Sequence, residues 1–165
     1  MFRFLPVAAA ALLAAFLSAQ APAPNSEAAL RARLAKTADP VRRARLIGPL
    51  ADAEFQDIRD DAAEGNTSGA LATLKQYRDE AQSCAIALDA KEPNAEKHPA
   101  GFKELQISVR AALRRVDDLL VGLTADEQEP FLEVRKELEQ LDRHLFQELF
   151  PRQPVVESPA PKPKS

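Results

Sequence analysis

Between Ser26 and Phe150, apolar residues recur every three or four positions, the spacing that lines them up on one face of an α-helix. Ser26 is placed to cap a short helix to about Lys36, with Leu30 and Leu34 on one side. Asp39-Pro40 reads as N-cap and first helical position, where a missing N–H costs nothing. The helix that starts there meets Gly48-Pro49, which is expected to kink or break it. It resumes toward Glu64 with Ile47, Ala51, Phe55, Ile58 and Ala62 on one face. Gly65 is the expected stop, and Asn66-Thr67-Ser68-Gly69 the turn that follows.

From about Ser68 to Ala90 the apolar positions are Ala70, Leu74, Tyr77, Ala81, Cys84 and Leu88, alternating four and three as in a helix packed along its length on others. Pro93 and Pro99 mark residues 91–101 as a loop. The next helix carries Phe102, Leu105, Val109, Ala112, Val116 and Leu119, with Leu113 and Leu120 widening its apolar face and Gly122 closing it. Thr124-Ala125-Asp126-Glu127 has the form of a capping box, but Pro130 biases Glu129 away from helix. A short turn is therefore expected before a last helix from about Pro130 to Phe150, with Phe131, Val134, Leu138, Leu141, Leu145 and Leu149 inward. Leu113 and Leu141, each in the middle of a stripe, are expected in the core. Pro151 stops the helix, and the prolines and lysines of 151–165 predict a disordered, polyproline-like tail dispensable for folding. That tail is either a frayed end or a spacer or ligand for acidic partners.

Narrow apolar stripes joined by mostly short loops can be buried only against one another. The expected fold is all-α: an elongated antiparallel bundle of about four long helices plus a short N-terminal helix, over residues 26–150. Composition agrees, being rich in helix formers and poor in β-branched and aromatic residues. Met1-Phe2-Arg3, the apolar run from Leu5 to Leu17 and the small residues after it read as a secretory signal peptide over residues 1–23. The alternative is an uncleaved N-terminal anchor, since no junction from Ala19 to Ala23 is ideal. No second apolar span follows, so no stable membrane insertion is expected after cleavage, and the protein is expected in the periplasm or outside the cell. A net charge of −3 argues against a nucleic-acid partner.

Candidate chemistry is sparse. Cys84 is alone and cannot form an internal disulfide; it is either a small buried residue or a reactive or intermolecularly paired thiol. Asp57, Asp60, Asp61 and Glu64 fall on one side of a helix and form either a solvated, salt-bridged face or oxygen ligands for a hard cation. His98 lies in the loop. His144 and Glu148, four apart, make half a metal site at most, with no second pair to complete it. Ser26, Ser68, Ser83 and Ser108 lie in no strained nucleophile turn, and few glycines are available to cradle a phosphate. Neither enzymatic activity, a cofactor nor a structural metal is expected. Arg42, Arg43 and Arg45 can pair internally or meet anionic lipid or a partner's acids.

The run Ala38-Asp39-Pro40-Val41-Arg42-Arg43-Ala44-Arg45-Leu46, then Leu50-Ala51-Asp52 and Tyr77-Arg78, resembles a helical hairpin that recurs in exported bacterial proteins of unknown function. The resemblance covers about half of the mature chain and implies fold and export, not an activity. Gly48-Pro49 departs from the uninterrupted helix it would imply. Leu123-Thr124-Ala125-Asp126-Glu127-Gln128 is similar to the L-T-x-x-Q motif of small periplasmic helical stress proteins of the Spy type, with one residue more and a single occurrence. Three classes of function stay open. The leading one is a non-enzymatic binding or structural protein of the cell envelope with a protein partner. The second is a periplasmic stress chaperone or metal-responsive protein of the Spy type, and the third an enzyme or metalloprotein.

Overall fold

The computed structural model describes residues 26–151, so the signal peptide expected at 1–23 and all of the proline-rich tail except Pro151 lie outside the described residues. Within them the chain is helical, with α1 at Glu27–Lys36, α2 at Pro40–Ala63, α3 at Thr67–Lys91, α4 at Phe102–Leu120 and α5 at Ala125–Leu149. No strand occurs among the described residues.

Local chemistry sets most of the helix ends. Ser26 caps α1, its hydroxyl accepting the Ala29 N–H at 3.3 Å. Asp39 caps α2 by accepting the Arg42 N–H at 3.0 Å, and Pro40 takes the first helical position. Gly65, at φ +79°, ends α2 in the left-handed region that favours glycine. The expected turn at 66–69 is shorter than its composition suggests. Asn66 accepts the Gly69 N–H at 3.1 Å, so α3 already begins at Thr67. Gly101 has φ +90°, and a Cβ there would lie 2.6 Å from Leu88 Cδ2 and 3.3 Å from Val41 Cα, so only glycine lets α4 start this close to α2 and α3.

Both interior prolines depart from the sequence expectation. The α2 helix runs unbroken through Gly48-Pro49. Ile47, Leu50 and Ala51 on either side are buried in the core, and that packing outweighs the lost backbone bond. The α5 helix likewise begins at Ala125 and passes through Pro130, with no separate turn. Glu127 accepts the Thr124 N–H at 3.0 Å and its hydroxyl at 2.7 Å. The Gln128 side chain donates to the Leu120 and Leu123 carbonyls at 3.0 Å each, and Phe131 is buried, so the start of the helix is held from both ends. Pro49 is exposed and has no N–H for the Arg45 carbonyl. Replacing it with Ala is expected to stabilise the protein by about 1–3 kcal/mol, after allowance for the freer unfolded chain. Urea denaturation of Pro49→Ala checks this, and a less stable variant contradicts it.

The helices α2, α3, α4 and α5 meet around one apolar core: α2 packs on α3 and α4, α5 on α4 and α3, and α3 on α4. The short α1 packs on α2 through Leu30 and Leu34. Every residue expected inward on α3 and α5 is buried, and Tyr77, Phe55, Phe102 and Phe131 are the largest of the fully enclosed side chains. Phe55 and Tyr77 meet edge to face, with ring centroids 5.8 Å apart. Leu141 is in the core. Leu113 and Leu120 are not: both are only partly buried at its margin, because the α4 stripe centres on Leu105, Val109, Ala112 and Val116. Ala62, at the end of α2, is also only partly buried.

Candidate functional site: an apolar surface on α4 and α5, and a buried charged seam

Opposite the inward stripes, α4 and the end of α5 present large apolar side chains to solvent. Ile107 is 58% exposed, Phe146 45% and Phe150 61%. Leu105 and Val109 define the inner face of α4, so Ile107 between them is forced outward. Phe146 adjoins inward Leu145 on the outer face of α5, and Phe150, the residue that caps the helix, brings its ring beside it. Their centroids lie 5.0 Å apart.

Two grooves of about 620 Å³ each flank these rings and share Phe150 and Pro151 as a common wall. Phe146, Arg110 and Arg143 line one; Ile107, Lys103, Gln106 and Leu149 line the other. The Arg110 guanidinium lies 5.7 Å from the centre of the Phe146 ring and donates from Nε to Asp142 at 2.9 Å. The carboxylate thus fixes the cation over the aromatic face. An exposed aromatic pair with an anchored arginine is the composition of interface hot spots, where large rigid side chains bury area at little entropic cost.

A second feature lies on the inner side of α1. Glu54 points from α2 into the core with no exposed surface. One carboxylate oxygen accepts from Arg31 of α1 at 2.7 Å, and Glu27 also contacts that guanidinium at 2.8 Å. The other Glu54 oxygen, one oxygen of Glu80 on α3, and the Nε atoms of Arg31 and Arg43 are buried without a hydrogen-bond partner among the described residues. Burial pushes the Glu54 carboxyl up to about 7, with Glu80 and Glu27 adding to the rise and Arg31 opposing it. Glu80 is raised as well, by burial. Glu27 is raised chiefly by its hydrogen bond with Asp57. The seam between α1, α2 and α3 therefore gathers carboxylates that favour their protonated forms.

The residues singled out in the sequence do not converge on one centre. Asp57 turns toward Glu27, Asp60 accepts from the Gln56 amide at 3.1 Å, and Asp61 accepts from Asn66 at 2.9 Å, while Glu64 is exposed at the end of α2. His144 pairs with Asp89 of α3 at 2.9 Å, and His98 lies exposed in the loop. Among the described residues, no group of three or more His, Cys, Asp or Glu side chains could hold a metal ion. Cys84 is buried, its thiol pushed up to about 11 by burial, which makes it a packing residue rather than a reactive one. Ser108 is buried and shares a 3.1 Å hydrogen bond with the Tyr77 hydroxyl, satisfying both in the core. Arg45 reaches Glu104 at 3.6 Å.

Glu54 and the outer surface were missed by the sequence reading, although a signal existed for each. Glu54 lies four residues after Leu50 and four before Ile58, on the apolar stripe itself. Phe146 and Phe150 are a large apolar pair four apart on the face that should be polar. No described helix is long and apolar enough to cross a membrane. Comparison with models of protein families, with characterised proteins and with solved structures gives no match.

Proposed function

We propose that this protein is a non-enzymatic binding protein of the cell envelope, which holds an apolar segment of a protein partner against the surface made by Ile107, Phe146 and Phe150. The observation that carries this reading is the exposure of those three side chains beside two grooves that share one wall. A large apolar side chain moved from water into a contact gains roughly 1.5–3 kcal/mol when fully buried. The exposed parts of these three side chains, with Arg110 and Lys103 at the rim, supply the apolar centre and charged edge of a small, transient interface.

In this reading residues 1–23 direct export, and residues 26–150 form an elongated antiparallel bundle that acts as a rigid support. The hairpin resemblance of α2 and α3 to exported helical proteins fits the same picture. The test is site-specific photo-crosslinking in the exporting cell. A photoreactive residue at position 107 or 146 is expected to trap one discrete protein, while the same residue at exposed Lys75 on α3 is expected to trap none. Equal trapping from both helices, or none from either, contradicts the proposal.

A further inference from the structure

The far end of α1 and the start of α2 form a groove of about 410 Å³ lined by Arg33, Lys36, Thr37, Arg42, Arg45 and Leu46. Two of its cations come from each helix, and no acid lines it. Five arginines elsewhere are matched by acids: Arg31 with Glu54, Arg78 with Glu137, Arg110 with Asp142, Arg115 with Asp52 and Arg135 with Asp117. Arg43, Arg59, Arg114 and Arg143 are not matched among the described residues; what sets the groove apart is four cations gathered in one place with no acid in its lining. In the groove, Arg33, Lys36 and Arg42 form no ion pair with an acid among the described residues. Arg45 has only the 3.6 Å contact with Glu104, made by a side chain 58% exposed. The nearest acid in sequence, Asp39, is already engaged by the Arg42 N–H and by Lys91.

Helix electrostatics explains half of this arrangement. Arg33 and Lys36 fall in the last turn of α1, where cations complement the negative end of the helix. Arg42 sits in the first turn of α2 and Arg45 one turn further on, and the acid at this positive end, the N-cap Asp39, is already engaged by Lys91. Cations are disfavoured there, and the like charges three apart within each helix repel as well. A bound anion would relieve both costs. We infer that this groove is a site for a phosphate group, carried by a soluble phosphate compound or by the headgroup of an anionic lipid. Guanidinium groups from two directions suit the tetrahedral oxygens of phosphate, and the half-buried Leu46 leaves room for an apolar substituent on its ester.

The full chain and the double variant Arg33→Gln/Arg42→Gln, both at exposed positions, are compared in sodium phosphate and in sodium chloride of equal ionic strength. For the native protein the melting temperature is expected to rise by about 3–6 °C at a phosphate concentration about ten times the dissociation constant. The variant should melt normally in chloride and lose that rise. General salting-out by phosphate would stabilise both proteins alike. In a second arm the same proteins are sedimented with vesicles of phosphatidylglycerol or of phosphatidylcholine. A variant-sensitive phosphate effect alone assigns a soluble ligand. Variant-sensitive binding to phosphatidylglycerol only, with or without the thermal shift, assigns a lipid headgroup. An equal phosphate effect in both proteins, or none, with no vesicle binding lost in the variant, overturns the inference.

Discussion

Raising the pH from 5 to 8 is expected to destabilise this protein, and Glu54 is expected to be the main cause. In the unfolded chain a glutamate titrates near 4.5, whereas burial brings Glu54 up to about 7 in the fold. Between those values the folded state holds the extra proton, so stability falls as pH rises. The contribution is fully present below 4.5 and lost as the pH passes through about 7. The difference is worth roughly 3 kcal/mol at most for a single group. Arg31 and Glu27 from α1, Asp57 from α2, and Glu80 and Tyr77 from α3 surround this carboxyl or border its seam, and the raised Glu27 and Glu80 act in the same direction. Asp39, held low by its hydrogen bonds from Lys91 and the Arg42 N–H, and Glu127, held low by its bonds from Thr124, act the other way below about pH 4.5. Urea denaturation at pH 5, 6, 7 and 8 measures the slope. The difference between the native protein and Glu54→Gln isolates Glu54 from every other titrating group. A difference that stays constant across this range would mean that Glu54 is ionised throughout.

Truncating Leu138 to Ala is expected to cost ~2–5 kcal/mol, because the side chain is fully enclosed and helices on several sides limit collapse into the cavity. The same change at Leu113 should cost less, about 1–2 kcal/mol, since that side chain is only partly buried at the margin of the core. Chemical denaturation of both variants gives the comparison. Equal losses would place Leu113 in the core after all and move the centre of the α4 stripe.

The Leu113 contrast shows where periodicity is decisive and where it is not. Along α3 and α5 each residue of the apolar stripe has a stripe neighbour three or four residues away, and every stripe residue is buried, whereas Ile86, Leu132 and Phe146 lie off the stripes and are exposed. On α4 the apolar residues outnumber the positions that one face can bury, so the pattern alone could not say that Leu113, Leu119 and Leu120 would all fall at the margin. Pro49 and Pro130 misled for a different reason. The cost of a proline is local and was legible, but the core contacts of Ile47, Leu50 and Phe131 that outweigh it are tertiary. Capping chemistry at Ser26, Asp39 and Thr124 is local and could be read directly.

The candidate sites were less legible than the helices. A glutamate on an apolar stripe looks like an error in the stripe until its partner is known, and Arg31 comes from another helix 23 residues away. Phe150 was read only as the end of the last helix, and Phe146 was not singled out. Their exposure became visible once Leu145 and Leu149 had taken the inward positions. The basic groove joins Arg42 and Arg45, legible in sequence as a cluster that could pair internally or meet lipid or acids, with Arg33 and Lys36 of another helix, which were not singled out.

Binding and folding are separable at the α4–α5 surface, and one paired measurement on Ile107→Ser/Phe150→Ser tests this most directly. Both residues are exposed, so the melting curve should match the native one, with a change of no more than about 0.5 kcal/mol per site. In the same protein, photo-crosslinking from position 146 to the trapped partner should fall at least tenfold, the equivalent of about 1.4 kcal/mol of lost binding. A variant that melts several degrees lower, or one that melts normally and still crosslinks as the native protein does, would contradict the assignment of this surface as the binding face.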